Sequence, residues 1–374
     1  MGILKPLLAL ILLLSLASET LDAQRRRKKK GEEEEITQTL EVPKDPPATI
    51  TADPQRLGFL TAALSSKGLL SQQVRDSLKA IRSQARGAAV VKIRALVAGT
   101  GDLRRVPAIV SETFTEWKLA LPAVTVVRVG ALPQEGAQVL VEAVTVERKA
   151  VNPNGLAFLA GQQVTSKEPT ERAAPLVAQS AANLQTALKG IATPPENVLR
   201  VTCFASALSD YLPMRQQLAV QFPKAALAIV QVLRGLSTGL AECEAVARLR
   251  TAPGRPLEMV NPTGLPVSPN YSQVALVNAP KVIISGSQLA FHNQDSDIKL
   301  AFERLGRAME QGGGSLYNAI MTNYYPLSQS TIDKIRQIRF EFLDKSKPPA
   351  STMLMFEGLP SMDASFAMEV IALP

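Results

Sequence analysis

Three stretches of this sequence set a glutamate in an apolar strand: VLVEAVTV around Glu142, LAECEAVARL around Glu244 and SFAMEVIAL around Glu369. A carboxylate in that setting is either an acid–base catalyst or a structural group accepting backbone or cross-domain hydrogen bonds. The structural role is the commoner one, so the repetition reads first as a fold signature. Other chemistry is scarce. The single histidine, His292, cannot build a multi-histidine metal site, and no Cys/His spacing matches zinc. No metal and no cofactor is expected. Cys203 and Cys243 sit in strand-like apolar contexts and read as buried free thiols, although an oxidising compartment would permit a bond between them.

The elements that must position these glutamates repeat as well. A short strand, FLTAA near Phe59, FLAGQ near Phe158 or IISGS near Ile283, precedes each glutamate by a nearly constant interval. An amphipathic stripe follows each: Val74, Leu78, Ile81 and Ala85; then Val177, Ala181, Leu184, Leu188 and Ile191; then Ile298, Phe302, Leu305 and Met309. A β-branched or aromatic run, a second helix and two strands complete each unit. The final strands are apolar at nearly every position, which implies that both faces are covered, one by helices and one by neighbouring units. The fold class is therefore α+β, with three like domains in a pseudo-threefold arrangement.

The chain of 374 residues is 46% hydrophobic and 20% charged, enough for two or three compact domains. Lys5, the apolar run PLLALILLLSLA and a small-residue exit read as a secretory leader over residues 1–23, too short to span a bilayer. The segmentation that follows is a charged and Pro-rich linker at 24–54, domains at 55–150 and 151–250, a Pro/Gly-rich linker at 251–266 and a third domain at 267–374. The net charge of +8 permits acidic partners, but RRRKKK runs straight into GEEEE and carries no aromatic residue. That reads as a solvated tail, not a nucleic-acid surface.

The stretch SPNYSQVALVNAPKVIISGSQLAF and the closing segments resemble the Rid proteins, the YjgF-type reactive-intermediate imine deaminases once labelled endoribonuclease L-PSP. The resemblance covers roughly residues 55–374 and implies chorismate-mutase-like units, each a mostly antiparallel sheet with two helices on one face. Family members form homotrimers with ligand clefts between subunits, so three fused copies imply a single-chain pseudo-trimer and a monomer. The family holds its substrate carboxylate with an arginine after a Pro-Ala pair, where a bidentate guanidinium fits. The matching positions here are Val124, Ala225 with Lys224 beside it, and Ser351.

Other family positions are kept unevenly. Tyr271 matches the family tyrosine. Gly161 and Gly286 match the cleft glycine, while the first unit has Ala62. Glu242 matches the first glutamate of the terminal strand, where the other units have Leu140 and Ala367. Arg128, four residues beyond Val124, is the candidate for a displaced anchor, and Lys224 offers a point charge. The leader and the resemblance together imply an exported protein with degenerate deaminase sites that binds a small molecule or serves as a scaffold. The alternative is a divergent imine or enamine deaminase that releases ammonia, with Glu242 and Arg128 as its catalytic candidates. A ribonuclease gains little support from one histidine and no basic–aromatic groove.

Overall fold

The computed structural model describes residues 44–166, 172–233 and 238–374; the leader at 1–23 and the charged run at 25–35 lie outside the described residues. Among the described residues the chain forms a mixed α+β fold with three sheets and six α-helices. After β1 (Thr49–Ala52), the first sheet joins β2 (Leu57–Thr61), β3 (Ala89–Val97), β4 (Ala123–Arg128) and β5 (Val139–Val146) in the order β2-β5-β3-β4. The second contains β6 (Leu156–Thr165), β7 (Val198–Ala205), β8 (Ala226–Gln231), β9 (Leu240–Arg248), β10 (Leu257–Val260) and β11 (Val274–Val277), ordered β10-β11-β6-β9-β7-β8. The third holds β12 (Val282–Ser285), β13 (Gln288–Phe291), β14 (Ala319–Pro326), β15 (Ala350–Met353) and β16 (Ala364–Ala372). Each sheet is centred on a glutamate-bearing strand, β5, β9 or β16. Each also carries one parallel pair, β3/β4, β7/β8 or β14/β15, and its other ladders are antiparallel.

Helices α1 (Leu70–Ala85) and α2 (Arg105–Glu116) cover one face of the first sheet. In the same way α3 (Ala174–Gly190) and α4 (Tyr211–Gln221) cover the second, and α5 (Asp295–Gln311) and α6 (Gln329–Ile338) the third. The apolar stripes face these cores: Val74, Leu78 and Ile81, for example, are 1% exposed. Burying side chains of that size contributes about 1.5–3 kcal/mol each. Only Ile191 leaves its stripe, capping the end of α3 half-buried.

The faces opposite the helices pack against one another. Leu57, Val144, Phe158, Val246, Ile284 and Ile320 form one apolar plug, drawn from all three sheets. Leu96, Val127, Phe204, Val230, Tyr325 and Phe356 form another. This is why VLVEAVTV carries no solvent-facing alternation: all but the last of its residues are buried.

Strands are also exchanged between sheets. Strand β11, which opens the third repeat, pairs with β6 of the second sheet. Strand β1, which precedes the first repeat, pairs with β12 of the third, Thr49 opposite Ser285 and Ala52 opposite Val282. Both β1 and β10 fall within segments that read as linkers from composition. Strand β2 has β5 on one side and, among the described residues, no partner strand on the other.

The cysteines depart from the sequence reading. Cys203 on β7 stands directly opposite Cys243 on β9, and the two form a disulfide instead of free thiols. Both lie in the core under α3 and α4. Antiparallel neighbours in register bring side chains on one face within bonding reach, so the register decides the pairing.

Candidate functional site

The three repeated glutamates meet between the two apolar plugs and are answered by cations. The guanidinium of Arg94, on β3, donates through Nε to Glu142 at 2.6 Å and through Nη2 to Glu244 at 2.9 Å. Its Nη1 lies 3.7 Å from Glu369. Lys92 pairs with Glu369 at 2.6 Å and Arg200 with Glu244 at 3.2 Å. Each carboxylate also accepts a hydrogen bond from another sheet: Thr202 donates to Glu142, Asn323 to Glu244 and Thr125 to Glu369.

Burial works against the Arg94 charge, but Glu142, Tyr325, Glu244 and Glu369 outweigh it and hold the guanidinium protonated well above its usual value. Burial alone would raise the Glu369 carboxyl, yet Lys92 and Arg94 bring it down to about 2. Three acids and three bases thus stand paired across the sheets, an arrangement that joins them and leaves no free acid for chemistry.

A different group of candidates gathers in a cleft of about 160 Å³ between the second and third sheets. Gly161 and Glu242 come from β6 and β9, Tyr271 from the segment leading into β11, and Ser351 from β15. Register sets Glu242 opposite Gln163, whose amide donates to it at 3.0 Å. Gly161 is required beneath it, because a Cβ there would collide with the Glu242 carboxyl group. The Tyr271 segment is tied across to the third sheet: Ser272 donates from its backbone N–H to Pro349 at 3.1 Å and from its hydroxyl to Pro348 at 2.7 Å. Thr322 donates to Ser351 at 3.1 Å.

Glu242 is 3% exposed and, unlike the repeated glutamates, has no cation acting on it among the described residues. Burial pushes its carboxyl from 4.5 to about 8, with Glu244 adding to the rise and the Gln163 amide and Met353 N–H opposing it. Burial likewise raises the Tyr271 phenol. A carboxyl group poised near neutrality can give and accept a proton.

The raised value has a consequence for stability. The unfolded carboxyl loses its proton near 4.5, whereas the folded one keeps it to about 8. Glu242 therefore favours folding fully below 4.5, and that contribution is lost as pH rises to about 8. Glu242→Gln stays neutral throughout, so urea midpoints at pH 5 and pH 8 should show the wild type losing ground to the variant. Parallel profiles for the two proteins would mean that Glu242 is solvated and ordinary.

Two arginines outside the sequence candidates line the same cleft. Arg336 lies on α6, and Arg339 opens the turn that follows it. Arg339 is 2% exposed, and its Nε and Nη2 have no hydrogen-bond partner among the described residues. Burial lowers its pKa, the Tyr324 hydroxyl beside it offsets this in part, and the Arg336 charge pushes it down further. Among the described residues no carboxylate acts on it. Its position carried a signal, because Ile332, Ile335 and residue 339 form an apolar-face spacing on a helix, and an arginine there must be buried.

The remaining candidates lie elsewhere. Arg128 donates to the Gly101 carbonyl at 3.2 Å, and its backbone bridges to Gly358, so it does not join Glu242 as a displaced anchor. Lys224 is exposed at a larger cleft of about 780 Å³ between the first and second sheets, where Ala62 and Leu140 supply no acid. Gly286 abuts Val124, and the Ser287 N–H donates to the Val124 carbonyl at 3.1 Å, closing the junction of the third and first sheets. Among the described residues no three His, Cys, Asp or Glu side chains come together as a metal-binding group.

No protein-family model matches the sequence, and no curated protein matches it. Solved structures do. A Rid-family protein of unknown function from Yersinia pestis aligns at 12% identity over 32% of this chain and 100% of its own, with a TM-score of 0.28. A YjgF/YER057c/UK114 family member from Mycobacterium tuberculosis aligns at 14% identity over 32% of this chain and 99% of its own, TM-score 0.23. A chorismatase aligns at 12% identity over 88% of this chain and 100% of its own, TM-score 0.27.

Proposed function

We propose that this chain is an exported, monomeric Rid-type protein, three repeats fused as a pseudo-trimer, that binds a small carboxylate ligand in the cleft between its second and third sheets. The observation that carries this reading is Arg339, a buried guanidinium with no carboxylate partner among the described residues, which lines the same cleft as Glu242. An unpaired buried charge costs several kcal/mol, about the scale that an incoming carboxylate recovers by bidentate pairing. The anchor that the Rid resemblance places on a strand is supplied here from the end of a helix, while Ser351 occupies the strand position. The triple centring on Glu142, Glu244 and Glu369 supports the fused-trimer reading. A buried disulfide supports an oxidising compartment and hence export.

Glu242 favours a second reading, the deaminase. Protonated near neutrality, it could donate to an imine nitrogen while water adds to the carbon; collapse of the adduct then gives a carbonyl compound and ammonia. One experiment separates the two. Purified protein is titrated calorimetrically with benzoate and 2-oxobutyrate, and ammonia release is followed from 2-imino acids generated in situ. Binding is expected to saturate without turnover and to disappear in Arg339→Met. Turnover lost in Glu242→Gln would make the protein an enzyme, and no binding by any carboxylate would remove the cleft from consideration.

A further inference from the structure

Resting on that reading, we infer that the cleft takes a small dianion, a dicarboxylate or a phosphate monoester, held between Arg339 in its interior and Arg336 at its mouth. Both guanidinium groups line the cleft from one helix end, three residues apart. Their charges oppose each other, and nothing acidic inside the cleft stands between them. The one acid among the lining residues, Glu242, keeps its proton at pH 7. Arg336 has an acidic neighbour, Asp333 on its own helix, but at 3.7 Å with both side chains half-exposed this pair is weak and readily exchanged.

A monoanion seated on Arg339 would leave the second positive charge facing it unused. A dianion satisfies both, the buried guanidinium bidentately and the outer one through a charge already oriented by α6. Neutral donors complete the lining: the hydroxyls of Ser268, Tyr271 and Ser351, and the Asn270 amide. A cleft of about 160 Å³ suits a small metabolite and not a peptide.

The test pairs ligands of like shape and unlike charge at pH 7. Succinate is compared with butyrate and phenyl phosphate with benzoate, by calorimetry on the wild type and on Arg336→Gln. Each dianion is expected to bind at least about tenfold more tightly than its partner, and Arg336→Gln should cut that ratio to about threefold or less. A preference confined to succinate identifies the dicarboxylate, and one confined to phenyl phosphate identifies the ester. Equal affinities within both pairs would overturn the dianion and leave the carboxylate cleft standing. Absence of binding by all four would overturn the cleft itself.

Discussion

Arg94→Met is expected to lose about 3–5 kcal/mol of folding stability, enough to unfold many domains outright. The reason lies in how many charges one guanidinium answers. Arg94 reaches Glu142, Glu244 and Glu369, one from each sheet, and is 3% exposed. Methionine fills most of the volume but leaves three buried carboxylates with two cations, Lys92 and Arg200, to balance them. Uncompensated charge in a low-dielectric interior costs far more than the lost attraction. The loss should shrink as pH falls, because the stranded carboxylates can then take up protons. Adding Glu142→Gln should recover part of it at neutral pH. Urea unfolding with an unchanged slope is the measurement, and the exposed pair Arg104–Asp102 serves as a control that should show no change. A loss below about 1 kcal/mol would mean that water reaches the network and screens it.

Arg339→Met should do the opposite in the free protein. It removes a buried charge that has no carboxylate and two unpaired nitrogens, so stability should rise by about 1–3 kcal/mol while ligand binding disappears. That combination is the mark of a site kept strained for use. A group present for packing would lose stability when cut back, and an exposed arginine would change neither quantity. The Phe340 ring beneath Arg339 limits the gain, since methionine forgoes the cation–π contact. Thermal unfolding with and without benzoate reads both effects: the variant should melt higher alone and gain nothing from the ligand. Reduced stability together with intact binding would show Arg339 to be structural.

Much of the fold is readable from the chain, and the failures have physical causes. The helical stripes and the three glutamates repeat at like intervals because they answer to local periodicity and burial. Strand exchange does not, since β1 and β11 are short and their partners are chosen by tertiary fit. The disulfide needed the register of β7 against β9. The run containing Cys203 and the strand containing Cys243 recur in each repeat as adjacent strands, but only their pairing in the fold sets the two cysteines opposite each other. Within the site, the resemblance singles out Glu242, Gly161, Tyr271 and Ser351, and the four converge in one cleft. Arg339 lies outside the strand positions that the resemblance singles out, because the fold brings its guanidinium to the cleft from the end of a helix. Space, not alignment, decides which side chain meets a ligand.

The pairing of β1 with β12 also sets the order in which the molecule can be finished. Thr49–Ala52 leaves the ribosome early, whereas its partner Val282–Ser285 appears only after most of the chain has been made. During that interval the first strand has no ladder to join, and contacts so distant in sequence close slowly. The first strand therefore waits for the last sheet, and it stays unpaired until the final repeat arrives. Completion of the body is a late event, and a chain halted before residue 282 would present that unpaired edge to its neighbours.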